Sequence, residues 1–277
     1  MPARLLPVLA LSLVPLALAG RRPGADEVAL RHAEAQAAEA TLRHADARAQ
    51  FATAPDTLAP LAPPGAPPDS FPAPDRPVAK ITTDTWSNEK ARDEAKEAER
   101  VLKLLGVTAG MSVADVGAGS GYYTVRLSRA VGPTGKVYAE DIIPRYLDKL
   151  GERVRLEGLS NVALALGEPH DPRLPAASLD LALMVHMYHE VEQPYGLLYN
   201  LARSLRPGAR VAVIDLDKPT SSHGTPPALL RCELAAVGYR QIALHELGAG
   251  SGYLAVFEPP AYAAALPRPH DMRACAA

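Results

Sequence analysis

Three groups of residues in this chain have types and spacing that suit chemistry. The first is Asp115-Val116-Gly117-Ala118-Gly119-Ser120-Gly121-Tyr122, directly after a short apolar run. Glycines at alternate positions let a backbone turn tightly and approach a ligand with no Cβ in the way. The dinucleotide fingerprint needs G-x-G-x-x-G, and Tyr122 stands at its last position, so a pyrophosphate on the helix end is disfavoured. A dehydrogenase is the weaker reading for that reason. The second group is Glu140-Asp141, about twenty residues on, where an acid can accept hydrogen bonds from ribose hydroxyls. The third is His186-Met187-Tyr188-His189-Glu190. An imidazole there suits general-base work: His189 is the candidate base, Glu190 would hold its tautomer, and Tyr188 would line the pocket. His186 with His189 lacks a third ligand, so no metal site is assigned. His223 is either a second pocket wall or, with Thr225, a cap, and Tyr122 and Tyr123 either cover a ligand or pack in the core.

These groups need elements to hold them. Residues 111–117, 136–142, 161–166, 179–187 and 210–216 read as strands, with helices near 121–131, 145–156 and 194–205 between them. Ser87 to Gly106 reads as a helix before the first strand, with Ser87 as cap and Gly106 as stop. Near-continuous apolar strands alternating with helices predict an α/β domain with a mostly parallel, doubly covered sheet. After a last helix near 226–237, apolar segments at 241–245 and 253–257 predict an antiparallel hairpin at the sheet edge. Ligands in such sheets bind beyond the carboxyl ends of the strands, where all three groups fall.

The ends of the chain differ in composition. Residues 1–19 join Arg4 to an apolar stretch closing in Ala17-Leu18-Ala19, which predicts a cleavable export signal; Arg21 and Arg22 oppose translocation. The protein is expected to be exported or periplasmic if that segment is cleaved, with no stable membrane span left, and otherwise cytoplasmic. Residues 20–54 are Ala-rich and helical in pattern, with LRHAEAQA at 30–37 echoed by LRHADARA at 42–49. Residues 55–79 are proline-rich and read as a linker, 80–260 as the domain, and 261–277 as a tail. A net charge of −2 over 277 residues gives no field for a phosphate backbone, so nucleic acid is not the expected partner. Two cysteines cannot build a disulfide framework or a four-thiolate zinc site, and Cys232 reads as a small buried hydrophobe in the last helix.

Together the motifs resemble those of the class I S-adenosylmethionine-dependent methyltransferases of small-molecule type. VADVGAGSGYYT is similar to that family's first motif and GKVYAEDIIP to its second. LALGEPHDPRLP, SLDLALMVHMYHEV and LARSLRPGARVAVIDL resemble its later motifs, in order, across about residues 85–258. The resemblance implies a Rossmann-like, doubly wound, mostly parallel seven-stranded sheet with an antiparallel C-terminal hairpin. It implies S-adenosylmethionine as cofactor, with Asp115, Gly117, Gly119, Gly121 and Tyr122 around it. Asp141 takes the ribose-binding place; Glu140 stands where the family is usually apolar, so the two acids are open to exchanging roles. Glu168 or Asp171 would lie by the adenine. The expected activity is methyl transfer to a small-molecule acceptor; arsenite is disfavoured by the shortage of cysteines. The alternative is a catalytically inactive binding protein of the cell envelope with the same fold.

Overall fold

A computed structural model of the chain describes residues 58–81, 89–248, 250–260 and 265–276. The chain divides into units 1–53 and 54–277, and all the described residues belong to the second. The signal-like segment, the Ala-rich segment and Ser87 lie outside the described residues.

Apolar strands buried on both faces form the centre of the second unit. They are β1 (Ser112–Val116), β2 (Lys136–Asp141), β3 (Val162–Leu166), β4 (Leu179–Val185) and β5 (Leu205–Asp215), with β6 (Arg240–Gly248) and β7 (Gly252–Glu258) closing the chain order. The seven strands are ordered β3-β2-β1-β4-β5-β7-β6. The first five pair in parallel, and β7 runs antiparallel between β5 and β6. Sheet and closing hairpin are as the sequence predicts. Chain order reverses between β1 and β4, so their carboxyl ends splay apart into a crevice. β1 is buried at all five positions, as a central parallel strand must be.

Helices cover both faces: α1 (Glu89–Glu94), α2 (Glu97–Leu104), α3 (Tyr122–Val131), α4 (Pro144–Leu156), α5 (Pro194–Ala202) and α6 (Pro227–Ala236). The single helix expected after Ser87 is two, broken at Lys96 in the left-handed region (φ 52°). The break lets Arg92 fold back onto Glu97 (2.6 Å) and lie over the Tyr122 ring at 3.8 Å. Among the described residues no helix is long and apolar enough to cross a membrane.

The proline-rich stretch is not a free linker. Residues 58–81 lie on the domain, using the carbonyls and amides that proline-rich chain leaves unspent on ladders. Asn200 accepts from the Ala66 N–H (2.8 Å) and donates to its carbonyl (3.0 Å), while Phe71 is buried in the core. Arg76 is buried and paired with Glu233 of α6 at 2.8 Å. The tail read from 261 onwards is also fastened: Met272 is in the core and the Cys275 N–H donates to the Tyr195 hydroxyl at 2.8 Å. Cys232 is not a lone buried thiol either, being disulfide-bonded to Cys275. Forty-three residues of sequence separate the two, so only the fold brings them together.

Candidate functional site

A cavity of about 360 Å³ opens in the crevice beyond β1, β2 and β4. Asp115, Gly117, Gly119, Tyr122, Glu140, Asp141, Glu168, His189 and Glu190 all line it. Gly121 and Tyr188 do not. Gly121 (φ +83°) turns the chain into α3, and a Cβ there would collide with Leu150. Tyr188 is fully buried in the core, with the Arg76 guanidinium 5.6 Å from its ring centre. The turn after β4 points His189 and Tyr188 to opposite sides, which a sequence cannot reveal within one short turn.

At the β1–β2 end of the cavity the glycine turn is held by acids. The Gly119 N–H donates to Asp141 Oδ2 at 2.9 Å and the Ile143 N–H to Asp141 Oδ1 at 2.9 Å. Gly117 adopts φ +70°, and a Cβ there would come within 2.9 Å of Met187 Cγ. Burial raises the Asp141 carboxyl, and these amide bonds oppose that shift. Glu140 accepts from the Gly117 N–H at 3.2 Å and leaves Oε1 without a partner. Burial, and then the Asp141 charge, push Glu140 well above the usual carboxylate range, which favours its neutral form. The two acids are therefore unequal: Asp141 is the better anion. Asp115 is buried, and that burial lifts its carboxyl to about 6 although Thr124 donates to it at 2.6 Å. Glu168, paired with Arg173, lines the cavity; Asp171 does not, being spent on the Gly65 and Arg173 amides.

The other end is built around a carboxylate that sequence reasoning missed. Asp215, the last residue of β5, is fully buried and lies 3.0 Å (Oδ1) and 3.1 Å (Oδ2) from His189 Nδ1. Thr225 Oγ1 (2.7 Å) and the Leu216 N–H (2.9 Å) donate to it as well. Burial alone would raise Asp215; the His186 and His189 imidazoles and Thr225 outweigh it and bring the carboxyl down to about 2. An ionised Asp215 fixes the proton of His189 on Nδ1 and turns the Nε2 lone pair away from β5. Glu190, expected to hold that tautomer, instead lies 3.9 Å from Nε2. His223 meets His189 edge to face, with ring centres 5.4 Å apart, and it lines the cavity. The turn is braced from behind by the proline-rich segment: the Ala79 N–H donates to the His189 carbonyl (3.1 Å), and Arg76 Nη2 reaches the Tyr188 and Val191 carbonyls (3.4 Å each). An acid closing an apolar strand is the signal that would have singled out Asp215.

A sheet of this order, with a glycine turn and a strand-end acid at its switch point, defines a Rossmann-like protein with a crevice at the carboxyl ends of its parallel strands. A methyltransferase-domain family profile matches residues 113–208. The demethylmenaquinone methyltransferase of Tropheryma whipplei is 40% identical over 118 residues, 42% of this chain and 46% of that protein. The ubiquinone/menaquinone biosynthesis C-methyltransferase of Pseudomonas fluorescens is 31% identical over 122 residues, 44% of this chain and 48% of that protein. The chain thus spans about half the length of these curated relatives. A SAM-dependent methyltransferase structure from Aquifex aeolicus is 31% identical with a TM-score of 0.55, over 60% of this chain and 90% of that one. The chain belongs to the S-adenosylmethionine-dependent methyltransferases.

Proposed function

We propose that the protein binds S-adenosylmethionine and transfers its methyl group to a small-molecule acceptor. One observation carries this: one cavity joins the Gly117–Gly119 turn and Asp141 to His189, which the buried Asp215 holds from behind. The nucleoside end fits the cofactor. The glycine turn keeps side chains out of the way, and Asp141 retains lone pairs for two ribose hydroxyls after accepting two amide bonds. Glu168 borders the same end. When bound, the cofactor supplies an electrophilic methyl on a sulfonium; the chain supplies orientation and exclusion of water.

At the acceptor end His189, tautomer set by Asp215, offers Nε2 to the proton of an acceptor hydroxyl. Walls from Ile81, Met187, Leu197 and Leu216 favour an apolar acceptor body. The relatives named for demethylmenaquinone and ubiquinone support a quinone-type ring compound as the acceptor class, with a ring hydroxyl for His189 to meet in its reduced, quinol form. The Cys232–Cys275 disulfide supports an oxidising compartment, in line with the export expected from residues 1–19. Thiol trapping on protein isolated from its native cells tests that placement: no reactive thiol agrees with it, and two reactive thiols contradict it.

Calorimetric titration of the full chain with S-adenosylmethionine and its demethylated product, beside Asp141→Ala, tests the cofactor reading. Micromolar binding is expected, weakened about 10- to 100-fold by the loss of a charge-assisted acceptor. A folded protein that binds neither compound would remove the basis of the methyltransfer proposal.

A further inference from the structure

The acceptor end holds more ligating groups than a proton acceptor requires. His189, Glu190 and His223 each present one ligand atom, and these atoms lie within 4.8 Å of one another. Sequence spacing suggested only His186 with His189; the fold brings in Glu190 and His223 and leaves His186 outside the group.

We propose that His189 Nε2, one ring nitrogen of His223 and the Glu190 carboxylate form a binding site for a first-row divalent cation, Zn²⁺ foremost. The distances suit it. Ligand bonds of about 2.0–2.2 Å place neighbouring ligand atoms roughly 3.2–3.6 Å apart in a tetrahedron. Nε2 and Glu190 Oε1 are already 3.9 Å apart, so small side-chain rotations close the set. The outer shell is in place: Asp215 holds His189 by Nδ1, the carboxylate–histidine arrangement that orients metal-bound imidazoles. Asp215 is itself fixed by Thr225 and the Leu216 amide, so the lone pair is aimed before any cation arrives.

The backbone points the same way. His223 is held in the left-handed region (φ 54°), where a non-glycine residue costs energy and persists only if its surroundings enforce it. Two imidazoles and one carboxylate suit Zn²⁺ or Fe²⁺ better than Ca²⁺ or Mg²⁺, which prefer all-oxygen ligands. Both cysteines are joined to each other, so no thiolate competes. Three protein ligands leave a position open towards the cavity that they line. Resting on the methyltransfer reading, that open position would take the acceptor oxygen and lower the pH at which its hydroxyl releases a proton to water. His189 then acts as a ligand with the cation bound and as the proton acceptor without it.

The test is titration of the chelator-stripped full chain, without a histidine tag, with Co²⁺, read by its visible ligand-field bands. One equivalent should bind with bands of low-coordinate Co²⁺. His223→Ala should abolish the bands, and Asp215→Asn should weaken binding about 10- to 100-fold. Circular dichroism shows whether each variant is folded, and titration with the demethylated cofactor product separates the two readings. Bands lost in His223→Ala with product binding kept support the cation site. Equal Co²⁺ binding in wild type and His223→Ala, or no bands in wild type, overturns the site and leaves the methyl-donor reading intact. Bands present in a folded protein that binds no product overturn the methyl-donor reading instead.

Discussion

His189 can offer its Nε2 lone pair only while Asp215 keeps the proton on Nδ1, so removing that charge should be visible before any acceptor is known. In Asp215→Asn the imidazole is expected to populate both tautomers, which long-range ¹H–¹⁵N spectra of histidine-labelled protein distinguish; a wild-type His189 already mixed between tautomers would contradict the assignment. Asp115 gives a second residue-scale prediction. Its folded pKa of about 6 lies above the unfolded value near 4, so between these values the folded state binds more protons. The contribution of Asp115 to wild-type stability therefore falls with rising pH across that window, and Asp115→Asn should be relieved of that fall. Relative to wild type, the variant should gain on the order of 3 kcal/mol from pH 4 to pH 7 in denaturant titrations. No pH-dependent difference would mean that Asp115 is not held near neutrality by burial. The glycine turn, Asp141 and His189 were legible because local spacing and strand ends announce them. Asp215 was not, and His223 stayed open between pocket wall and cap, since β5 and the segment before α6 reach His189 only through the fold. Tyr188 was misread for the same reason: which way a turn residue points is decided by the core behind it.

At the scale of elements, the proline-rich segment braces the turn that carries His189, and the C-terminal tail is fastened to α5 and α6. Arg76 is the link, paired with Glu233 and reaching the carbonyls on either side of the turn. Arg76→Ala leaves Glu233 buried without its partner, a change expected to cost about 3–5 kcal/mol in thermal or chemical unfolding. A loss under about 1 kcal/mol, the worth of an exposed pair, would contradict a buried bridge. Cys275→Ser opens the disulfide across its 43-residue separation and should cost about 2–4 kcal/mol, with the same loss on reducing the wild type. Unchanged stability under reduction would mean that the link does not fasten the tail. Composition marked residues 55–79 as chain unsuited to ladder hydrogen bonds; among the described residues of that stretch, Asp75 forms an isolated bridge with Ala276. Composition could not tell free chain from docked chain, because docking depends on Asn200, Arg173 and Glu233, which lie more than a hundred residues away.

For the molecule as a whole, the alternation of apolar strands and helices was enough to foresee the sheet and its closing hairpin, since periodicity reports burial directly. Strand order follows from right-handed crossovers feeding a sheet that grows first to one side of β1 and then to the other. That order places the glycine turn and the His189 turn at neighbouring strand ends, β1 and β4, so both line one cavity. The most direct measurement is a crystal structure of the full chain grown with the demethylated cofactor product. Ribose hydroxyls on Asp141, the adenine end towards Glu168, and the sulfur facing His189 across the cavity are the expected result. A nucleoside bound elsewhere, or one whose sulfur points away from His189, would contradict the proposed methyl transfer.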